Sequence, residues 1–296
     1  MLKLLLIIAV VYLLAIRCRG GHPVLKELQG WAYAHRGLHG NGVPENSMAA
    51  FKAALDHGYG IELDVHLLAD GNLAVIHDSL LNRTTGQAGQ IEDLTTEQLK
   101  DYHLEGTEET IPEFMDVLTL YNGKAPLIIE LKPVNGNHAA LTETVCRVMD
   151  TYPGVYCLES FDPRCITWLK KNRPQLCRGV LSHDYRLSRM EMPDFLRFLL
   201  THYLMNFQCV PDFVAYRFRD RNASVSHRLC RKLWKAGAVA WTLETIEEYN
   251  TAVKDGWIPI FENFEPYKIQ GRVDTLPCVS ISEIVLICSR PVSLYG

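Results

Sequence analysis

The sequence predicts an α/β protein: a (β/α)8 TIM barrel with an insertion after the second strand and an N-terminal membrane anchor. Three observations carry this expectation. Strand-like apolar runs alternate with helical patterns, the strand–helix units number close to eight, and an unbroken apolar run from Leu4 to Ile16 precedes them. Strand-then-helix repetition implies a parallel sheet with helices outside it. About eight repeats in roughly 250 residues suit a closed barrel better than an open, doubly wound sheet. No Gly-x-Gly-x-x-Gly follows any strand, so a dinucleotide-binding fold has no support.

In chain order, the apolar run has Lys3 before it and Arg17, Arg19 and Lys26 after it. A helix over residues 1–16 is about 24 Å long, short of the roughly 30 Å hydrocarbon core, and Lys3 and Arg17 could snorkel to close the gap. Ala15 to Arg19 offers no small-x-small cleavage site, and Arg17 stands where a lipoprotein signal needs a small residue before Cys18. Residues 1–17 are therefore expected to be a retained membrane anchor, followed by a basic, Gly-containing linker over 18–30. The basic residues after the anchor place the main domain in the cytoplasm, at the cell membrane. The nine cysteines form no Cys-x-x-Cys pair and no zinc-ligand spacing; they read as reduced, buried thiols in a reducing compartment.

The barrel domain is expected over 31–271. Its strand candidates are 31–35, 60–65, 73–77, 126–131, 155–160, 177–181, 211–216, 237–242 and 257–261; helix candidates are 47–57, 138–151, 163–172, 224–235 and 245–254. Ser47, Asp162 and Thr245 are capping-type residues that open three of those helices. Residues 66–111 are too many for a simple crossover and hold the 73–77 strand and a turn at Gly86 to Gly89, so they read as an insertion over the top of the barrel. In 183–209, the apolar segment Phe195–Leu200 and Tyr203–Met205 could rest on a lipid surface. A helix packed on the barrel is the favoured reading, because apolar stripes at helical spacing usually face a core. Residues 272–296 form a C-terminal tail without a functional reading.

A net charge of −4 and the absence of a basic stripe exclude a nucleic-acid partner. A small anionic substrate needs only a local positive pocket, and the strand ends supply one. Side chains on a strand alternate faces, so in Gly60–Val65 the carboxylates of Glu62 and Asp64 share one face while Ile61, Leu63 and Val65 share the other. In Leu127–Lys132, Glu130 and Lys132 oppose Leu127, Ile129 and Leu131. The run Leu73–Ile76 ends in His77-Asp78, and Ala34 is followed by His35-Arg36-Gly37. Active sites of such barrels form at the C-terminal ends of strands. Three carboxylates without a cysteine suit a hard divalent cation, Mg2+ or Ca2+, rather than zinc. Arg36 and Lys132 can neutralise a phosphodiester. His35 and His77, as imidazoles near neutral pKa, suit a general acid and a general base in either assignment. His183 and His227, lacking such company, read as structural.

The series His35-Arg36-Gly37, Pro44-Glu45-Asn46-Ser47, Glu62-Leu63-Asp64, His77-Asp78 and Glu130-Leu131-Lys132 resembles the signature of the glycerophosphodiester phosphodiesterase family over residues 31 to about 266. With the anchor, Tyr59–Val65 is similar to a membrane-anchored bacterial subgroup. The resemblance implies that Glu62, Asp64 and Glu130 are metal ligands, His35 and His77 the acid–base pair, and Arg36 and Lys132 phosphate contacts. Glu45 would orient the site or touch the metal, and Trp241 would lie near the substrate. It also implies attack by the substrate's own glycerol hydroxyl, giving a cyclic phosphate that water opens. The expected partner is a small glycerophosphodiester; the alternatives are lysophospholipase D-type cleavage of lysophospholipids at a membrane and a catalytically silent headgroup binder. Two departures, Glu244 in place of a frequent Asn and Phe261-Glu262-Asn263-Phe264-Glu265-Pro266 in place of Thr-Asp-x-Pro, are expected at the rim, bearing on substrate choice.

Overall fold

The structure, a computed structural model, describes residues 1–187 and 192–266; the tail at 272–296 and the last residues of the expected barrel domain lie outside the described residues. The described strands are β1 (Tyr33–His35), β2 (Gly60–Leu67), β3 (Leu73–Val75), β4 (Leu127–Leu131), β5 (Tyr156–Ser160), β6 (Arg178–Ser182), β7 (Phe213–Arg217), β8 (Gly237–Leu243) and β9 (Ile258–Phe261). The helices are α1 (Leu2–Ala15), α2 (Val24–Leu28), α3 (Met48–Asp56), α4 (Asn82–Thr85), α5 (Phe114–Tyr121), α6 (His138–Met149), α7 (Pro163–Asn172), α8 (Asp194–Thr201), α9 (Asn206–Cys209), α10 (Val225–Lys232) and α11 (Ile246–Lys254). All the strands except β3 pair in parallel, in the order β1-β9-β8-β7-β6-β5-β4-β2, and β1 pairs again with β2. That last pairing closes an eight-stranded (β/α)8 barrel.

Strand alternation divides the core. Ile61, Leu63, Val65, Leu127, Ile129 and Leu131 pack outward against helix residues such as Phe51, Val117, Leu141 and Val145. Tyr33, Ile128, Cys157, Phe213, Val239 and Ile260 fill the interior. Ser47 caps α3, Asp162 caps α7 and Thr245 caps α11, each accepting a backbone N–H, which satisfies a donor the first helical turn leaves free. Helix α5 lies outside the expected set, although its buried Phe114, Val117, Leu118 and Tyr121 follow helical spacing.

The insertion after β2 is present and has its own apolar core of Leu68, Ile76, Leu81, Ile91, Leu94, Leu99, Leu104 and Ile111. Its strand lies in the insertion as expected, in a direction the sequence left open. β3 runs antiparallel to the end of β2, with Val65 opposite Val75 and Leu67 opposite Leu73, so it lies outside the closed ring. His77 is thus delivered by the insertion rather than by the end of a barrel strand.

Residues 18–30 were expected as a linker, yet they pack beneath the barrel. Cys18, Leu25 and Leu28 are buried, and Leu25 and Leu28 join the interior cluster. Arg19 donates to the buried Asp212 at 2.8 Å and to the Pro174 carbonyl at 2.7 Å. The spanning anchor gains no support from the helix found there. Helix α1 has 14 residues, about 21 Å, and among the described residues no helix is long and apolar enough to cross a membrane. It stops at Ala15 because Ile16 is fully buried against the barrel, while the Tyr12 hydroxyl lies 2.7 Å from Ser226 Oγ. On α8, Phe195 and Phe198 are exposed, so that helix packs by one side only.

Leu28 is wholly buried at the barrel floor, so Leu28→Ala is expected to destabilise the protein by about 2–4 kcal/mol in urea denaturation. A free linker would show no change.

Candidate active site

The turn after β1 sets the first part of the site. Arg36 and Gly37 have φ of 54° and 82°, and a Cβ at residue 37 would lie 2.8 Å from Ala50 Cβ. Only glycine meets both demands. The Arg36 carbonyl accepts from Asn46 N–H at 2.9 Å, folding Pro44–Ser47 back over the strand ends. Each residue there then has a separate partner: Glu45 takes Arg36 Nη1 at 3.1 Å, Asn46 Nδ2 donates to Asp64 at 2.9 Å, and Ser47 caps α3.

Glu62, Asp64 and Glu130 converge as expected from strand alternation. All three are buried, Asp64 stands opposite Glu130 in the β2–β4 register, and one oxygen from each lies within 4.8 Å of the others. Lys132 Nζ lies 3.2 Å from Asp64 and 3.1 Å from Glu130, and Arg36 Nε lies 3.5 Å from Asp64. The two cations expected to meet phosphate are therefore held by the carboxylates themselves. A fourth carboxylate, Glu159, pairs in register with Glu130, is fully buried, and has neither oxygen hydrogen-bonded.

This crowding shifts the acids. Burial, then repulsion from Asp64, Glu130 and Glu159, raises Glu62 well above the carboxylate range. Burial pushes Glu130 up to about 7, with Lys132 opposing. Asp64 goes the other way: burial would raise it, but Lys132, His77, Arg36 and the Asn46 hydrogen bond hold it well below the usual value. A cluster of buried oxygens with too little positive charge fits a hard divalent cation; Glu62, Asp64 and Glu130 are the residues that would hold it.

Two imidazoles flank the carboxylates, each anchored through Nδ1. His35 Nδ1 lies 2.6 Å from Glu262 Oε2, with Nε2 3.9 Å from Glu62. His77 Nδ1 lies 2.7 Å from Asp78 Oδ1. A carboxylate at Nδ1 places the proton there and leaves the Nε2 lone pair toward the site. Burial lowers His35 and lowers His77 to about 4, with Lys132 and Arg36 adding to it and Asp64 opposing. The near-neutral values expected for these imidazoles are thus displaced downward, chiefly by burial and further by the neighbouring cations.

Several supporting residues escaped the sequence reading. Arg83 from the insertion grips both Glu45, at 2.6 Å, and Asp78. His66 lies 2.5 Å from Glu92, and its other nitrogen 3.4 Å from the His77 carbonyl. Glu262, expected at the rim, instead holds His35; Glu244 does lie at an exposed position, paired with Arg219. Glu159 was legible by the period-two rule that found Glu130, since it follows the apolar Val155–Leu158 run. Trp241, at the end of β8, forms a wall with Phe161 and His183 at ring separations of 5.5 and 6.3 Å.

The fold and mouth define a (β/α)8-barrel protein with an acidic, cation-flanked site at the C-terminal strand ends. A model of the glycerophosphoryl diester phosphodiesterase family matches residues 35–264, and the chain belongs to that family. A glycerophosphodiester phosphodiesterase of Bacillus altitudinis is 46% identical over 110 residues, covering 35% of this chain and 44% of that protein. One from Caldanaerobacter subterraneus subsp. tengcongensis is 37% identical over 158 residues, covering 50% and 65%. The chain thus spans from under half to about two thirds of the length of these curated relatives. Among solved structures, an Oleispira antarctica phosphodiesterase in complex with the product sn-glycerol-3-phosphate superposes with a TM-score of 0.65 at 21% identity, covering 80% of this chain and 94% of that one. A glycerophosphodiester phosphodiesterase from Thermotoga maritima gives a TM-score of 0.60 at 21% identity, covering 78% and 93%. At those identities the likeness is one of fold.

The Arg83 clamp makes a pH prediction. Burial alone would raise Glu45 and Asp78, but bonds to Arg83, with help from Arg36 at Glu45 and His77 at Asp78, hold both below their ordinary values. Their stabilisation is therefore complete above the unfolded carboxylate pKa and is lost as pH falls through the lower folded values, beginning near about pH 5. Arg83→Met should flatten that acid limb in urea titrations between about pH 6 and 3; an unchanged slope would show that the clamp adds no stability.

Proposed function

We propose that this protein hydrolyses glycerophosphodiesters to glycerol phosphate and an alcohol, with Mg2+ or Ca2+ held by Glu62, Asp64 and Glu130 and with His35 and His77 as the acid–base pair. The observation that carries the reading is the convergence of buried carboxylates between two carboxylate-anchored imidazoles. When bound, the cation supplies Lewis-acid charge for a phosphoryl oxygen. Arg36 and Lys132 neutralise the remaining phosphoryl charge as it grows, since each can exchange a carboxylate contact for the anionic substrate. Both imidazoles are neutral near pH 7, so Nε2 of either can take the proton of an attacking hydroxyl, and Asp78 or Glu262 stabilises the imidazolium that forms. The other ring protonates the departing alkoxide from its imidazolium form, in which Nε2 carries a second proton taken from solvent and the carboxylate at Nδ1 balances the charge. Trp241 and Phe161 offer an apolar wall to the glycerol carbons.

A second reading, cleavage of lysophospholipids, is favoured by one observation, the exposed Phe195, Leu196 and Phe198 of α8. Release of glycerol phosphate from glycerophosphocholine, glycerophosphoethanolamine, glycerophosphoglycerol and a lysophospholipid separates the two. Metal-dependent release from the soluble diesters supports the main reading, and release from the lysophospholipid alone supports the second.

His35→Ala and His77→Ala should each lower kcat by about 10²–10⁴-fold with unchanged circular dichroism. Wild-type turnover in both would remove the acid–base assignment. EDTA should abolish activity in the wild type, and Mg2+ or Ca2+ should restore it there but not in Glu62→Gln.

A further inference from the structure

His39 lies one turn beyond the site, and no catalytic role above uses it. The loop that carries it is fixed by a tight hairpin in which Gly40 N–H donates to the Val43 carbonyl at 2.8 Å and Val43 N–H donates back at 3.0 Å. This loop brings His39 Nε2, a buried nitrogen without a hydrogen-bond partner, to 3.7 Å from Glu262 Oε1. The other oxygen of Glu262 is the one that meets His35 Nδ1 at 2.6 Å. Ligand atoms of His35, His39 and Glu262 all lie within 4.8 Å of one another. Around a tetrahedral zinc, with bonds of about 2.0–2.2 Å, ligand atoms stand about 3.3–3.5 Å apart, so small side-chain shifts are enough to admit an ion.

We propose that His35, His39 and Glu262 form a second metal site, selective for a borderline transition ion such as Zn2+, through which that ion switches the enzyme off. The inference rests on the hydrolytic reading above for its consequence, although not for the binding itself. Two imidazoles and one carboxylate, with a fourth position left for water, are a zinc-type donor set. The all-oxygen set of Glu62, Asp64 and Glu130 prefers hard cations. The two sites can therefore be filled by different ions at once, sharing only the His35 ring.

That shared ring supplies the switch. A neutral imidazole carries one N–H. With Glu262 accepting the Nδ1 proton, the Nε2 lone pair faces the reaction site. An ion on Nδ1 uses that nitrogen's lone pair, so the single proton moves to Nε2 and the ring can accept no other. Glu262 changes from hydrogen-bond acceptor to metal ligand, and no proton is gained or lost by the neutral ring. His35 is then fixed in the tautomer that cannot serve as a base.

The test titrates Zn2+ into the full chain under saturating Mg2+, by calorimetry and in parallel by activity. The expected result is one Zn2+ bound per chain and inhibition that a tenfold increase in Mg2+ does not relieve. His39→Ala and His39→Gln should keep the Mg2+-supported activity, lose that binding event and shift the inhibition at least tenfold to higher Zn2+. Co2+ in place of Zn2+ should give the visible absorption of a tetrahedral ion in the wild type and not in the variants. This readout needs no turnover, so it stands even if no diester is hydrolysed. Absence of a second bound ion, relief of inhibition by Mg2+, or equal inhibition in both His39 variants would overturn the proposal.

Discussion

The crowding of carboxylates at the barrel mouth is the constraint to which the rest of the site answers. Parallel register places Asp64 opposite Glu130 and Glu130 opposite Glu159, so three acids sit side by side on adjacent strands, with Glu62 one step below. Isolated buried charges of this kind cost several kcal/mol each. The chain meets that cost with two cations delivered from short range: Lys132, two residues beyond Glu130, and Arg36, turned inward by a left-handed backbone. What the cations leave uncompensated shows in the acids: burial and mutual repulsion push Glu62 and Glu130 upward, while Lys132, His77 and Arg36 hold Asp64 down. The same imbalance of charge suits the array to a hard divalent cation.

Around this centre the polar groups form chains rather than isolated pairs. Asp64 is held by Asn46, Asn46 is fixed by the folded-back turn, and Glu45 from that turn meets Arg83 of the insertion, which in turn holds Asp78 against His77. The insertion can take part because it has a core of its own; without that packing the entropy of ordering 66–111 would have little to offset it. His66 and Glu92 bind its inner edge to β2. Rigid placement of His77 is therefore a product of apolar burial some distance from the chemistry.

Much of this was legible from residues alone, and the failures have physical causes. Period-two alternation located Glu62, Asp64 and Glu130 because side-chain direction on a strand is fixed by the backbone. The insertion was legible from length. The direction of β3 was not, since an apolar run of three residues reads the same in either sense. The linker was misjudged because its composition reads the same whether its apolar residues are exposed or packed on a barrel floor, and only the burial of Leu25 and Leu28 distinguishes the two. Glu262 was hidden by distance: its partner His35 lies 227 residues away, and no local pattern records such a contact. Arg83 belongs to a polar run whose neighbours gave no reason to single it out, whereas Glu159 ends an apolar strand run as Glu130 does and was open to the same rule.

The pairing of His35 with Glu262 joins the first barrel strand to the last. The His35 ring is thus oriented by a residue that leaves the ribosome only when almost the whole barrel has been synthesised. Chains that end before Glu262 lack the group that holds the His35 ring. Orientation of that ring therefore depends on closure of the barrel, because Glu262 directly follows β9, the strand that pairs with β1.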